Sequence, residues 1–210
     1  MVLMRGSQAL FGTEVVLLLL SAMVACSSPP VSVPSPDAET VPVEHADAAT
    51  VLRAFRDASN SHDVEAVEAL LADEVVWHRG AASRLNGRDA VMVPITFDAA
   101  THATFTIGEL TFDGDSVACV LTESNDFYRA LGLPSVDQRA QFEIREGRIV
   151  SITSLPSPEP TEQELTVGRF LTWFTREYPS DADLVLGGGG PRAVDAALMV
   201  ERANEWAQTR

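Results

Sequence analysis

Apolar and polar side chains alternate with period two from Ala140 to Leu155, AQFEIREGRIVSITSL. Ala140, Phe142 and Ile144 fall on one face and Gln141, Glu143 and Arg145 on the other, the pattern of a strand buried on one side. Glu146-Gly147 supplies a tight turn, glycine being free to take a positive φ. Arg148 to Leu155 returns as a second strand, rich in β-branched residues. A hairpin of this kind needs something to cover its apolar face.

Upstream the period becomes helical. Leu52, Phe55 and Ser59, flanked by Val51 and Ala58, predict an amphipathic helix from Asp47 to near Asn60. Ser61-His62-Asp63 breaks it and offers caps for a second helix carrying Val64, Val67, Leu70 and Leu71. Asp73-Glu74 closes that helix, and Val75 to His78 reads as a short strand. Phe105 and Ile107 share a face that Leu110 and Phe112 continue only after a slip of one residue, so a β-bulge is expected at Gly108. Asp113-Gly114-Asp115 turns the chain into a strand, Ser116 to Thr122, in which Val117, Cys119 and Leu121 alternate with Ala118, Val120 and Thr122. Asn125 to Ser135 inserts one helical turn before the hairpin.

Beyond the hairpin, Thr161 and Glu164 form a capping box, and Val167, Phe170, Leu171 and Phe174 make a helical stripe ending near Tyr178-Pro179. Gly187 to Gly190 reads as a flexible joint rather than a phosphate loop, for it lacks the lysine and the preceding strand that such a loop needs. Pro191, at a first helical position, opens a final helix with Ala196, Met199, Val200 and Ala203 along one side. Such stripes predict burial against the domain or against a second copy, a homodimer.

The N-terminus reads as an address. After Arg5, the apolar run Val15 to Ala25 rises about 16 Å as a helix, too short for a hydrocarbon core of about 30 Å. Residues 1–25 therefore have the layout of a secretory signal peptide. The run ends Met23-Val24-Ala25-Cys26, which resembles a bacterial lipobox, although Met23 stands where leucine is usual. That resemblance implies lipid on Cys26, an extracytoplasmic envelope location and, with Ser27 following, the outer membrane in a Gram-negative host. Residues 26–46, with Pro29, Pro30, Pro34, Pro36 and Pro42 among serines, read as a disordered or polyproline-like tether.

Composition narrows the function. The 210 residues carry 15 basic side chains, all arginine, against 30 acidic ones, a net charge of −15 that repels phosphate backbones and argues against nucleic-acid binding. Cys26 and Cys119 make no disulfide framework, and Cys119 reads as a small buried apolar residue. His45, His62, His78 and His102 show no metal-ligand spacing, and no Gly-x-Ser-x-Gly elbow or cofactor motif is present, so neither metal nor cofactor is expected.

The polar break Asn60-Ser61-His62-Asp63, the run Val64 to Trp77 and the following Asn86-Gly87-Arg88-Asp89 together resemble the opening of the NTF2-like superfamily in its SnoaL-like branch. The resemblance implies an α+β fold over residues 47–157. Asn86-Gly87-Arg88-Asp89 would lead into a third helix, and four long antiparallel strands would curl around the helices as an open cone. Residues 158–210 would be a C-terminal helical extension. Ketosteroid isomerases of the superfamily use a first-helix tyrosine, but Phe55 stands there without a hydroxyl to donate. Their base aspartate falls near His78 and Arg79, and arginine cannot be a base. The SnoaL-like cyclases imply a carboxylate in the cone, for which Glu123 and Asp126 are candidates, and His78 could itself move a proton. Trp77, Phe127 and Tyr128 could line an apolar pocket at the cone's mouth. Three readings follow: non-catalytic binding of a small apolar ligand or a partner protein, a SnoaL-like cyclase, isomerase or hydrolase, or a structural dimer with a filled cone.

Overall fold

The computed structural model describes residues 43–79, 83–156, 159–186 and 190–210, with side chains from Asp47 onward, all within one compact unit. The signal peptide, Cys26, most of the expected tether and Gly187 to Gly189 lie outside the described residues. The first helix, α1 (Val43–Asn60), begins inside the segment expected to be tether. It buries Val51, Leu52 and Ala58. Asp63 then caps α2 (Val64–Ala69), its carboxylate accepting from the Ala66 amide at 3.0 Å. This helix is shorter than its apolar stripe suggests. Leu71, Asp73 and Glu74 belong instead to β1 (Leu71–Arg79), whose buried Leu71 and Val75 continue the core while the acids face water.

A strand not anticipated from the sequence, β2 (Ser83–Asn86), pairs back on β1 with His78 opposite Arg84. Gly87, at φ 82°, then admits the chain to α3 (Arg88–Ala100), a helix that holds Pro94. β3 (Thr104–Ile107) and β4 (Thr111–Asp113) both pair with β5 (Ser116–Ser124). Ile107 sits opposite Leu121 but Thr111 opposite Ala118, so one extra residue lies between them. Gly108 donates its amide to Val120 O at 2.8 Å at that slip, which is the expected bulge.

Short helix α4 (Asp126–Ala130) leads to β6 (Val136–Arg145) and β7 (Arg148–Leu155). Glu146 and Gly147 both take positive φ, 50° and 72°, as a two-residue hairpin turn requires. The sheet runs β2-β1-β7-β6-β5-β3, with β4 beside β5. It is not wholly antiparallel, as expected, because β1 lies parallel to β7, its most distant partner in sequence. The inner face and helices α1 to α3 enclose Leu52, Val67, Leu71, Val75, Val91, Val117, Phe142 and Ile149 as one core.

The C-terminal extension builds a second core. The capping box forms as expected at α5 (Glu162–Glu177), with both Thr161 and Glu164 engaged. Tyr178 ends it, and α6 (Pro179–Leu186) follows at once. Pro191 does not start the final helix. A 3₁₀ turn at Ala193–Asp195 comes first, held by the Asp195 carboxylate, which accepts from the Arg192 amide and side chain. Helix α7 (Ala196–Ala207) follows and buries Ala196, Met199, Ala203 and Trp206. Phe170, Phe174, Val185 and this face of α7 pack with Phe97, Phe127 and Leu131 of the domain. The extension's stripes are thus buried against the chain's own α3 and α4.

Candidate functional site

Alternation along β5 points Val117, Cys119, Leu121 and Glu123 to the inside of the cone. The first two are core. Leu121 and Glu123 face a cavity of about 350 Å³ between the two cores. Phe55, Ile95, Phe105, Phe142 and Ile152 line it from the cone, Phe97 and Phe127 from α3 and α4, and Val167, Leu171, Leu186 and Met199 from the extension. The walls are mostly apolar, as in small-molecule sites. The extension is part of those walls, not an appendage.

Against them stands a compact polar group. Glu123 is 4% exposed, and both its oxygens accept hydrogen bonds, from Asn125 Nδ2 at 2.6 Å and Gln138 Nε2 at 2.9 Å. Asn125 is oriented in turn by α4, because its Oδ1 caps the Tyr128 amide at 2.7 Å. Burial pushes the Glu123 carboxyl up to about 7 despite those two amide donors, which favour the ionised form. Asp98 projects from α3 into the same cavity. Burial first, then the neighbouring Glu123 charge, hold its carboxyl well above the usual range. Arg79 opposes this as the nearby cation. No hydrogen-bond donor among the described residues reaches the Asp98 carboxyl. The Tyr128 hydroxyl is likewise held well above its usual range by burial, with the charges of Glu123 and Asp98 adding to it.

β1 contributes Trp77 and Arg79 to the cavity on its inward face. Trp77 Nε1 donates to Ser154 Oγ at 3.1 Å, and the Arg79 guanidinium lies 5.7 Å from the Trp77 ring centre. His78, one residue out of phase, lines a depression on the other side with Glu74, Glu143 and Arg148. Asp126 also stays outside. It pairs with His102 at 2.6 Å and Arg129 at 2.5 Å, and the His102 hydrogen bond is the main reason its carboxyl sits below the usual range. Of the candidate proton carriers only Glu123 enters the cavity, while Trp77, Phe127 and Tyr128 all line it.

Asp98, Gln138 and Asn125 were not singled out from the sequence. Asp98 is an acid on a helix, where a solvated face is the ordinary outcome, and nothing local marks its direction. Gln138 could have been found: it shares the phase of Ala140 and Phe142 on β6, which is the inward face. Cys119 is buried as expected, and burial pushes its thiol up to about 11.

Residues 52–152 match a family model described as a SnoaL-like domain. Several solved structures resemble about half of the chain. One is a candidate polyketide cyclase from Sinorhizobium meliloti, 21% identical over 50% of this chain and 94% of that one, with a TM-score of 0.44. A candidate ketosteroid isomerase from Kribbella flavida is 20% identical over 57% of this chain and 87% of its own, with a TM-score of 0.43. An NTF2-like protein of unknown function from Cytophaga hutchinsonii is 13% identical over 52% and 89%, with a TM-score of 0.43. No curated protein matches the chain.

Proposed function

From the premise that residues 52–152 are a SnoaL-like domain of the NTF2-like superfamily, we propose that the protein is an envelope lipoprotein that takes a small, mostly apolar molecule into its cone. The observation that carries this reading is the cavity of about 350 Å³ with apolar walls and a buried carboxyl pair, Glu123 and Asp98, at one side. Apolar walls supply affinity, and the carboxyls hold a polar end of the ligand. Lipid on Cys26 and the proline-rich tether would keep the domain close to a membrane, from which apolar molecules can be drawn.

Native mass spectrometry of protein purified from its own host tests the binding. A co-purifying small molecule is expected, and it should be lost from Leu171→Trp, which puts an indole into the cavity from α5. Wild-type protein with no bound molecule, in a form that also takes up no apolar dye, counts against the reading. For the address, Cys26→Ser should move the protein from the membrane to the soluble fraction. A variant that stays with the membranes overturns the lipid anchor.

A second reading, acid–base catalysis, is favoured by one observation: two carboxyls, Glu123 and Asp98, line one cavity wall, where burial pushes Glu123 up to about 7 and raises Asp98 as well. Glu123 would accept a proton from carbon or oxygen of the ligand while Asp98 donates to a developing oxyanion. His78 and Asp126 stand outside the cavity and take no part. With the natural ligand identified, Glu123→Gln should bind it and fail to convert it; conversion at the wild-type rate rules this reading out.

A further inference from the structure

The cavity's charges do not balance. Asp98 from α3 and Glu123 from β5 bring two carboxyls to its wall, and among the described residues Arg79 from β1 is the one guanidinium lining it. The other titratable groups facing the space are Tyr128 of α4 and His62 of the turn after α1, whose Nε2 donates to Ala103 O at 3.0 Å. Glu123 has both oxygens occupied by amide donors, whereas Asp98 opens onto the cavity with none among the described residues. No second cation lines the cavity among the described residues, but aromatic side chains do: Trp77, Phe97, Phe127 and Tyr128. Ring faces attract cations, and two carboxyls do so more strongly in an enclosed space.

We propose that the polar end of the ligand is a protonated amine, which enters as the missing cation between Asp98 and Glu123 while its apolar skeleton fills the space toward Val167, Leu171 and Met199. The inference rests on the binding function proposed above and names the ligand class. The protons balance as follows. The amine arrives as an ammonium ion, both carboxyls must be ionised to receive it, and any proton they carried leaves to solvent. Since burial raises both carboxyls, proton release at neutral pH is a signature that a neutral ligand does not give. Amine affinity should accordingly rise with pH as the carboxyls ionise.

Calorimetric titration with naphthylethylamine, naphthylethanol and naphthylacetone, in two buffers of different ionisation enthalpy, tests this with one skeleton and three polar ends. The amine should bind about tenfold or more tightly than the other two and release protons. Asp98→Asn and Glu123→Gln should each remove that preference, bringing the amine's affinity down to the level of the alcohol's in the same variant. Where either variant does not fold, the buffer dependence of the wild-type titration decides alone. Alcohol or ketone binding as tightly as the amine, or amine binding without proton release, overturns the inference but leaves the cavity a binding site. If none of the three binds, the inference falls together with the reading beneath it.

Discussion

Glu123 is held by amides that leave it little choice of partner. Asn125 must present Nδ2, because its Oδ1 is committed to the Tyr128 amide, but Gln138 can turn over if the Tyr128 hydroxyl it also meets reverses its role. Glu123→Gln can therefore keep its carbonyl toward Asn125 and its NH2 toward a reversed Gln138, so the fold should tolerate it. The substitution isolates a pH effect. In the unfolded chain Glu123 titrates near 4.5 and in the folded chain near 7. The folded state therefore binds the proton more tightly. Stability relative to the glutamine variant is full below the lower value and falls as pH rises through the upper one, by about 3 kcal/mol in all. Urea unfolding at pH about 5 and about 8 measures it. A wild-type protein whose gap to Glu123→Gln is the same at both would contradict the buried, neutral carboxyl. At this scale the sequence was half legible. Two-residue phase along β5 leads from Val117 to Glu123 without a structure. Asp98 is invisible, since its role depends on how α3 lies across the sheet rather than on its neighbours in sequence.

Among the elements, the join between α1 and the sheet is made by one side chain. Asn60 Nδ2 donates to Phe105 O at 3.0 Å and its Oδ1 accepts from the Phe105 amide at 2.6 Å, so the amide group serves β3 as a short partner strand would. Asn60→Ala removes both bonds and leaves two half-buried backbone groups without them. A loss of about 2 kcal/mol is expected in chemical denaturation, and a loss under a few tenths would show that water replaces the side chain at no cost. The elements with strict period were the ones legible beforehand: the β6–β7 hairpin, the bulge at Gly108 and the capped start of α5. The failures share a physical cause. The stripe of α2 ran on through Leu70 and Leu71 because a helix face and a strand face can both accept adjacent leucines, and pairing of Leu71 with Ile149 on β7 decided for the strand. β2 is too short and polar to show alternation. α6 and the 3₁₀ turn before α7 follow from packing on the second core.

For the whole molecule, two cores with a cavity between them mean that the C-terminal extension and the proposed ligand share one surface. An apolar stripe on α5 announces burial but not what it is buried against. Phe170 and Phe174 from the stripe are buried in the second core, while Val167 and Leu171, which pack on that core as well, also face the cavity. Only the assembled fold separates those duties.

The parallel pairing of β1 with β7 sets the order of events in time. β1 spans Leu71–Arg79 and its partner Arg148–Leu155, so the sheet waits for the last strand of the domain to leave the ribosome. Contacts so distant in sequence slow folding. Under the proposed envelope address, delay is useful, since a polypeptide that folds late can be threaded through a membrane first. Chains ending just before Arg148 should accordingly digest as unfolded polypeptide in pulse proteolysis, whereas a resistant fragment from them would mean that the cone closes without its final strand.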